Sequence, residues 1–338
     1  MNHRFRRSST VVEAVRAPVV TASPTELVVT GTPLGVLQTH CDQLARASFH
    51  DQRASSSWHP HQDVTLAALG SAVLVMMVKD ESDIIRQNLQ HHYKLGFRYF
   101  FVLDNRSNDA TAAVIAEFRA GHPDAQVACL YDFVVGYYQA AKMAAVVAFL
   151  SIYLEHENNP GRWLFFVDAD EFITFCAGDV VEGPKRISAA LDDPAHKMLV
   201  MHWAQCASME VVEHDTPDRS LLETHTRIWT TMEPAVTKVA IRMDAGMTTR
   251  QGNHMVESFP YQTDAAVVLA EFGLYMLHFP QRSVDQMRRK VVNGAAAYAA
   301  TKGQENHGGH WRQYYEWYSQ NGDVVLRQLI QQHIDSCS

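Results

Sequence analysis

Cysteines and long apolar runs are both scarce in this chain of 338 residues, and each scarcity excludes a class of protein. The five cysteines are scattered and form no Cys-x-x-Cys pair, which argues against a disulfide framework or a structural zinc site and favours a reducing compartment. The longest apolar run, residues 143–154, covers about 12 residues, whereas a membrane-spanning helix needs about 20. No secretory signal follows the basic start, so we expect a cytoplasmic protein, with peripheral membrane attachment left open.

Basic residues are also fewer than acidic residues in this chain. Lysine and arginine number 29 against 37 acidic residues, which gives a net charge of -8. This balance argues against a nucleic-acid-binding protein that depends on bulk attraction to phosphate, although it leaves room for a local basic cleft. Hydrophobic residues make up 47% of the chain, so a sizeable core is expected.

The first 70 residues differ from the rest because they contain no lysine and several Ser- and Pro-rich stretches. We interpret residues 1–70 as a partly ordered N-terminal extension, with a short strand at 27–29 and a helix at 35–48. A substrate- or partner-binding appendage is the alternative. Residues 71–300 are expected to form the main domain, and residues 301–338 a C-terminal helical segment.

From residue 72 onward, short apolar runs alternate with segments of helical pattern. The first half predicts strands at 72–78, 99–103, 126–131 and 163–167, and helices at 82–95, 111–120 and 137–156. The second half predicts strands at 198–203, 238–243 and 273–278, and helices at 283–301 and 311–333. This alternation predicts an α/β fold with a mostly parallel sheet covered by helices on both faces.

Charged clusters follow three of these strands, at residues 79–81, 104–109 and 168–171. In open α/β sheets, ligands bind beyond the carboxyl ends of the strands, so the three clusters predict one shared site. Asp168 and Asp170 are separated by one residue and can face the same side of an extended segment. Such carboxylates bind divalent cations that bridge to phosphate oxygens, although a solvated acidic patch is the alternative interpretation.

Five motifs occur in a characteristic order: Val-Lys-Asp-Glu (78–81), Asp-Asn-Arg-Ser-Asn-Asp (104–109), Asp-Ala-Asp-Glu-Phe (168–172), Gly-Asn-His (252–254) and His-Phe-Pro-Gln-Arg-Ser (278–283). In these motifs the stretch 72–294 resembles the nucleotide-sugar glycosyltransferases of the GT-A (Rossmann-like) fold. It resembles in particular a family-2-like group that shares the Lys-Asp-Glu opening with family 92. Asn105 stands where family 2 has a second Asp, as in the Lys-Asp-Glu group.

The resemblance implies a metal-dependent transfer of sugar from a UDP- or GDP-linked donor to a glycan or other hydroxyl acceptor, with inversion. It implies Mn²⁺ (or Mg²⁺) held by Asp168, Asp170 and His278, with His254 as the competing histidine ligand. The predicted donor-binding residues are Lys79, Asp80, Glu81, Asp104, Asn105, Ser107, Lys142, Asp168, Arg282 and Lys290. Asp109 and Thr111 are expected to cap the following helix rather than contact the ligand.

The general base stays open because the Glu-Asp base motif of family 2 is missing. The predicted catalytic residues are therefore Asp170, Glu210, Glu257 and His254. Two other functions remain as alternatives. A sugar nucleotidyltransferase would prefer a Gly-rich loop after the first strand, where residues 79–81 contain no glycine. A non-catalytic glycan-binding module of the same fold is the second. No nucleic-acid partner is expected, and a homo-oligomer through the aromatic C-terminal helix is left open.

Overall fold

The computed structural model describes residues 37, 41, 60–134, 136–155, 162–176, 178–229, 236–301 and 309–337. The strand predicted at 27–29 and most of the helix predicted at 35–48 lie outside these residues. Leu37 and Cys41, the two described residues of that segment, are helical and fully buried. The division of the chain at residues 70 and 300 stays a prediction.

The described strands form one ten-stranded sheet, with the order β3-β2-β1-β4-β8-β6-β10-β5 and with β7 and β9 paired to β6. Their bounds are β1 Val73–Val78, β2 Tyr99–Asp104, β3 Gln126–Tyr131, β4 Trp163–Phe166, β5 Glu171–Phe175, β6 Met198–Ala207, β7 Arg227–Trp229, β8 Thr237–Arg242, β9 Ala266–Val268 and β10 Leu274–His278. The seven strands predicted from residue 72 onward are all present, with ends shifted by a few residues.

The first half of the sheet, β3-β2-β1-β4, is entirely parallel, as the strand–helix alternation predicts. The second half is mixed. Strand β8 runs antiparallel to β4 and β6, while β10 is parallel to β6 and antiparallel to β5. The result is an α/β fold in which helices flank a sheet whose parallel half places the carboxyl ends of β1, β2 and β4 at one edge.

Eight α-helices accompany the described strands: α1 Ile85–Leu95, α2 Thr111–Gly121, α3 Gln139–Glu155, α4 Glu182–Asp192, α5 Leu221–Thr224, α6 Val284–Ala299, α7 Gly309–Asn321 and α8 Asp323–Ser336. The helix predicted at 311–333 is in fact two helices, because Gly322 adopts φ 59 between α7 and α8. Helix α1 begins at Ile85 rather than after Ser82, whose backbone N–H donates to Asp109 Oδ2 at 3.0 Å. None of the described helices combines the length and apolar character needed to cross a membrane.

The acidic segment 168–171 follows β4 as expected, but its last residue, Glu171, begins a further buried strand that the sequence analysis did not predict. Residues 171–175 form β5, all of them buried, so Asp168 and Asp170 lie in the turn between two strands. Helix α1 fixes this turn through Asn88, whose side-chain amide donates to the carbonyls of Ala169 (3.0 Å) and Glu171 (2.8 Å). The core of the molecule therefore determines where the two aspartates lie.

Candidate functional site

A cavity of about 590 Å³ opens where β1, β4 and β10 end. Helix α6 and the start of α7 form the opposite wall. The volume lies in the range of small-molecule sites, which is roughly 300–1,000 Å³. Nine of the predicted site residues line the cavity: Lys79, Asp80, Glu81, Asn105, Asp168, Asp170, His254, His278 and Lys290. The motifs that are far apart in the sequence thus meet at one place.

The other predicted residues do not line the cavity. Asp104 and Ser107 lie behind it and support the loops, since Asp104 Oδ1 accepts from the Ser107 backbone N–H at 2.8 Å. Lys142 pairs with Asp132 at 2.5 Å. Glu210 and Glu257 are exposed and lie away from the lining. Their assignment as bases stays a prediction that gains no support from their positions.

The loop after β1 has an unusual backbone that its neighbours stabilise. Asp80 adopts φ 53, a left-handed conformation that Asp tolerates better than most residues. Its N–H donates to Ser107 Oγ at 2.9 Å, and its carboxylate accepts from Asn108 N–H (2.6 Å) and Asn293 Nδ2 (2.8 Å). Strain of this kind persists where the surroundings enforce it, often at ligand sites. The loop is thus held rigidly at the cavity wall.

Asp168 and Glu171 share a buried lysine that the sequence analysis missed. Lys238 Nζ, which is fully buried, lies 2.7 Å from Asp168 Oδ2 and 3.1 Å from Glu171 Oε2. Burial disfavours the charge of Lys238, but the two carboxyls raise its pKa above the usual value. Burial raises the pKa of Glu171 to about 8, although Lys238 acts in the opposite direction. The lysine therefore compensates mainly Asp168 near neutral pH.

Asp170 is surrounded by three cationic or protonatable side chains. Its Oδ2 lies 2.6 Å from Lys290 Nζ, 3.6 Å from His278 Nε2 and 3.8 Å from Arg282 Nη1. Burial opposes ionisation of this carboxyl, yet Lys290 above all, with Arg282, holds its pKa well below the usual range. Arg282 also pairs with Glu81 and Asp83, at 2.8 Å each. Asp170 is thus a carboxylate at the centre of an ion cluster.

Two histidines face the cavity with defined hydrogen bonds on the opposite ring nitrogen. His254 Nδ1 lies 2.8 Å from the carbonyl of Thr237, so the proton is assigned to Nδ1 and Nε2 is left as an acceptor. His278 Nδ1 contacts Gln205 Oε1 at 3.0 Å, which assigns its proton in the same way. Burial lowers the pKa of both rings, which favours the neutral form.

Gly252 makes room for the His254 ring. A Cβ atom at this position would lie 2.5 Å from His254 Nε2, and the residue also has φ 81. Both facts require glycine here. Gly252 N–H in turn donates to Gln139 Oε1 at 2.8 Å, while Gln139 Nε2 donates to Asp168 Oδ1 at 3.2 Å. The motif at 252–254 is therefore connected to the acidic turn.

Several buried polar atoms of the lining have no hydrogen-bond partner among the described residues. They include Trp203 Nε1, Gln251 Nε2 and Gln281 Oε1. Buried donors and acceptors are rarely left unpaired in native proteins, so such atoms point to a ligand or to ordered water. The sequence analysis missed Gln251 and Gln281, because neither carries a charge or belongs to a recognisable pattern. These atoms can hydrogen-bond a polar ligand.

The metal implied by the sequence resemblance would need free ligands around Asp168, Asp170 and His278. Within the described ranges, no group of three His, Cys, Asp or Glu side chains is arranged to hold a metal ion. The Lys290 ammonium contacts the Asp170 oxygen that faces His278, and Lys238 contacts Asp168. A divalent cation needs several free oxygen or nitrogen ligands at about 2.0–2.6 Å. The residues in this arrangement therefore do not fit Mn²⁺ or Mg²⁺.

Comparisons with known proteins find similarity in structure but not in sequence. No protein-family model and no curated protein matches the chain. Among solved structures, one similar chain is the mannosyltransferase PcManGT from Pyrobaculum calidifontis, in complex with GDP-Man and Mn²⁺. The similarity covers 88% of this chain and 85% of that one, at 13% sequence identity and a TM-score of 0.35. That neighbour is a glycosyltransferase, and no residue role is transferred from it.

Proposed function

We propose that the cavity binds a nucleotide sugar, UDP- or GDP-linked, and that the protein transfers the sugar to a hydroxyl of a glycan or another acceptor. One observation carries the proposal. Loops from three strand ends bring Lys79, Asp80, Asp168, Asp170 and the α6 wall around a single cavity. A sugar diphosphate needs both cations for its phosphates and acceptors for its hydroxyl groups, and this lining offers both.

The transfer breaks the bond between the anomeric carbon and the diphosphate oxygen, whose electron pair leaves with the phosphate. Negative charge therefore builds on the leaving group in the transition state. Fixed cations beside that charge stabilise the transition state more than the ground state. Lys290 lines the cavity and is 23% exposed in its side chain, so it is the cation that we assign to the leaving phosphate.

The acceptor hydroxyl must lose a proton as its oxygen bonds to the anomeric carbon. We assign this proton to His254 Nε2, because the ring faces the cavity, is held through Nδ1 and has a lowered pKa. A neutral imidazole near pH 7 suits general-base catalysis. Attack from the side opposite the leaving diphosphate would give inversion, as the resemblance implies. Glu210 and Glu257 are not assigned this role.

The experiment measures nucleotide release from a panel of UDP- and GDP-linked sugars, with glycans as acceptors. We expect turnover with at least one donor, and a roughly 10²–10⁴-fold loss in His254→Gln, the usual contribution of a general base. His196→Gln is the matched control, because His196 Nδ1 also contacts a backbone carbonyl (Ala190, 2.9 Å) but outside the cavity.

Three results would count against the proposal. Wild-type turnover in His254→Gln would show that another group takes the proton. The absence of both turnover and nucleotide binding across the panel would overturn the function itself. Pyrophosphate release from a sugar phosphate and a nucleoside triphosphate would favour the nucleotidyltransferase instead.

A further inference from the structure

Lys290 lies at the cavity wall and contacts one of the two aspartates of the Asp-x-Asp motif. Its Nζ lies 2.6 Å from Asp170 Oδ2 and 3.1 Å from the carbonyl of Pro280, and 5.9 Å from the ring centre of Trp311. These contacts hold the ammonium at the cavity wall. The Asp170 oxygen that it contacts is the one that faces His278 Nε2.

The pair formed by Asp170 Oδ2 and His278 Nε2 is where a cation would be expected. Both atoms are acceptors when the imidazole is neutral with its proton on Nδ1, and they lie 3.6 Å apart. Two facing acceptors are stabilised by a positive charge beside them. Lys290 supplies that charge from the chain itself, so it and a divalent cation would compete for the same oxygen.

Lys238 pairs with the other aspartate of the motif, Asp168, but its ammonium does not reach the cavity. It is fully buried and compensates Asp168, whereas Lys290 has a partly exposed side chain that reaches the cavity. The Asp-x-Asp motif is thus already neutralised by two lysines from distant parts of the chain. Of these two lysines, it is Lys290 that can also contact a bound diphosphate.

We propose that Lys290 is the resident cation of this site, so that a nucleoside diphosphate binds without any divalent metal. This inference rests on the proposed function, because it assumes that the cavity takes a nucleotide. Asp170 is then a positioning residue, which holds the lysine ammonium where the phosphates arrive. His278 completes the cluster through the same oxygen.

The first test measures the affinities of UDP and GDP for the full chain by calorimetry, once in EDTA and once with Mn²⁺. We expect the wild-type dissociation constants in the two conditions to agree within about threefold, well under the tenfold that corresponds to 1.4 kcal/mol. In EDTA, Lys290→Met should weaken binding at least tenfold. Lys185→Met is the control, because Lys185 also pairs with a carboxylate (Glu182, 2.7 Å) but outside the cavity.

A second measurement follows Mn²⁺ alone by electron paramagnetic resonance and needs no nucleotide. Lys290→Met uncovers Asp170 beside His278 and should bind Mn²⁺ more tightly than wild type, while Lys290→Arg, which keeps the charge, should not. The unfolding midpoint of each variant verifies that it is folded.

The outcomes separate this inference from the proposed function. If Mn²⁺ tightens wild-type nucleotide binding more than tenfold, the inference is wrong and the function stands. Equal Mn²⁺ affinity in wild type and Lys290→Met would also overturn it. If neither nucleotide binds in either condition, both the function and the inference fail.

Discussion

Two groups of polar residues lie near the strand ends of this sheet, and they have different roles. The first, which we call the loop network, comprises Asp80, Ser107, Asp109 and Thr111 after β1 and β2. The second, the ion cluster, comprises Asp168, Asp170, Glu171, Lys238, His278 and Lys290. Side chains of the loop network bond mainly to backbone N–H groups, whereas those of the ion cluster bond mainly to each other.

The difference shows how similar sequence patterns can have different energetic roles. A side chain bonded to a backbone N–H fixes a loop, and its loss costs about one hydrogen bond or one cap. A buried ion pair costs solvation of both partners, so removing one partner leaves the other uncompensated. The two groups should therefore respond very differently to substitution and to pH.

The largest effect on stability is expected from Lys238→Met. Removal of this buried ammonium leaves the Asp168 carboxylate uncompensated and takes a hydrogen-bond donor from Glu171, which should lower the free energy of unfolding by about 3–5 kcal/mol. Urea denaturation at pH 7 measures the change. The double variant Lys238→Met/Asp168→Asn, which also removes the uncompensated carboxylate, should recover part of the loss. A loss of less than about 1 kcal/mol would mean that the pair behaves like an exposed one.

The second largest effect is a pH dependence of the free energy of unfolding, which comes from the ion cluster. The pKa of Glu171 is about 8 in the folded chain, above its ordinary value of 4.5, so folding favours the protonated carboxyl. Its stabilising contribution is complete below about pH 4.5 and is lost as the pH rises through 8. Unfolding free energies measured from pH 5 to 8.5 should fall more steeply in wild type than in Glu171→Gln.

Some slope should remain in that variant, because the pKa of Glu81 is raised to about 7 by burial and acts in the same direction. Parallel curves for wild type and Glu171→Gln would contradict the assignment of this pH dependence to Glu171.

A smaller loss is expected in the loop network from Asp109→Ala. The carboxylate accepts from the backbone N–H of Ser82 at 3.0 Å and of Thr111 at 2.9 Å. Loss of these bonds should cost about 1–2 kcal/mol of unfolding free energy. Asp218→Ala, in an exposed turn, is the control and should change little. A loss as large as that of Lys238→Met would remove the distinction between the two groups.

The smallest effect is expected from Ser283→Ala at the start of α6. Ser283 Oγ accepts from Gln286 N–H at 2.9 Å and caps the helix that carries Lys290. The loss should be about 1 kcal/mol, the usual cost of an N-cap. Ser283→Thr keeps the hydroxyl and should restore most of it, as thermal unfolding would show. An unchanged midpoint in Ser283→Ala would mean that the cap contributes little.

Much of the parallel half of the fold could be predicted, because buried strands require continuous apolar runs. Runs such as 73–78 and 99–104 have this character and pair in parallel as expected. The β5 strand could not be predicted in the same way, since it begins with Glu171, a charge that is rarely buried. The break at Gly322 shows that a helical pattern alone does not mark where a helix ends.

Several residues that line the cavity could be predicted from the sequence, whereas the ion pairs that neutralise its aspartates could not. Chain order predicts that the strand ends meet, and nine of the predicted residues do line one cavity. Lys238 lies in a strand where an alternating pattern would point a lysine toward solvent. Its partner Asp168 is 70 positions away in the sequence, and only the folded chain brings the two together.

The close fit of Gly252 against the His254 ring has a consequence for the directed evolution of this protein. In a saturation library at position 252, selection for turnover should return glycine almost alone, even where alanine or serine clones accumulate as folded protein. Position 252 would therefore be constrained through the placement of the His254 ring, and directed evolution of new acceptors should leave it fixed.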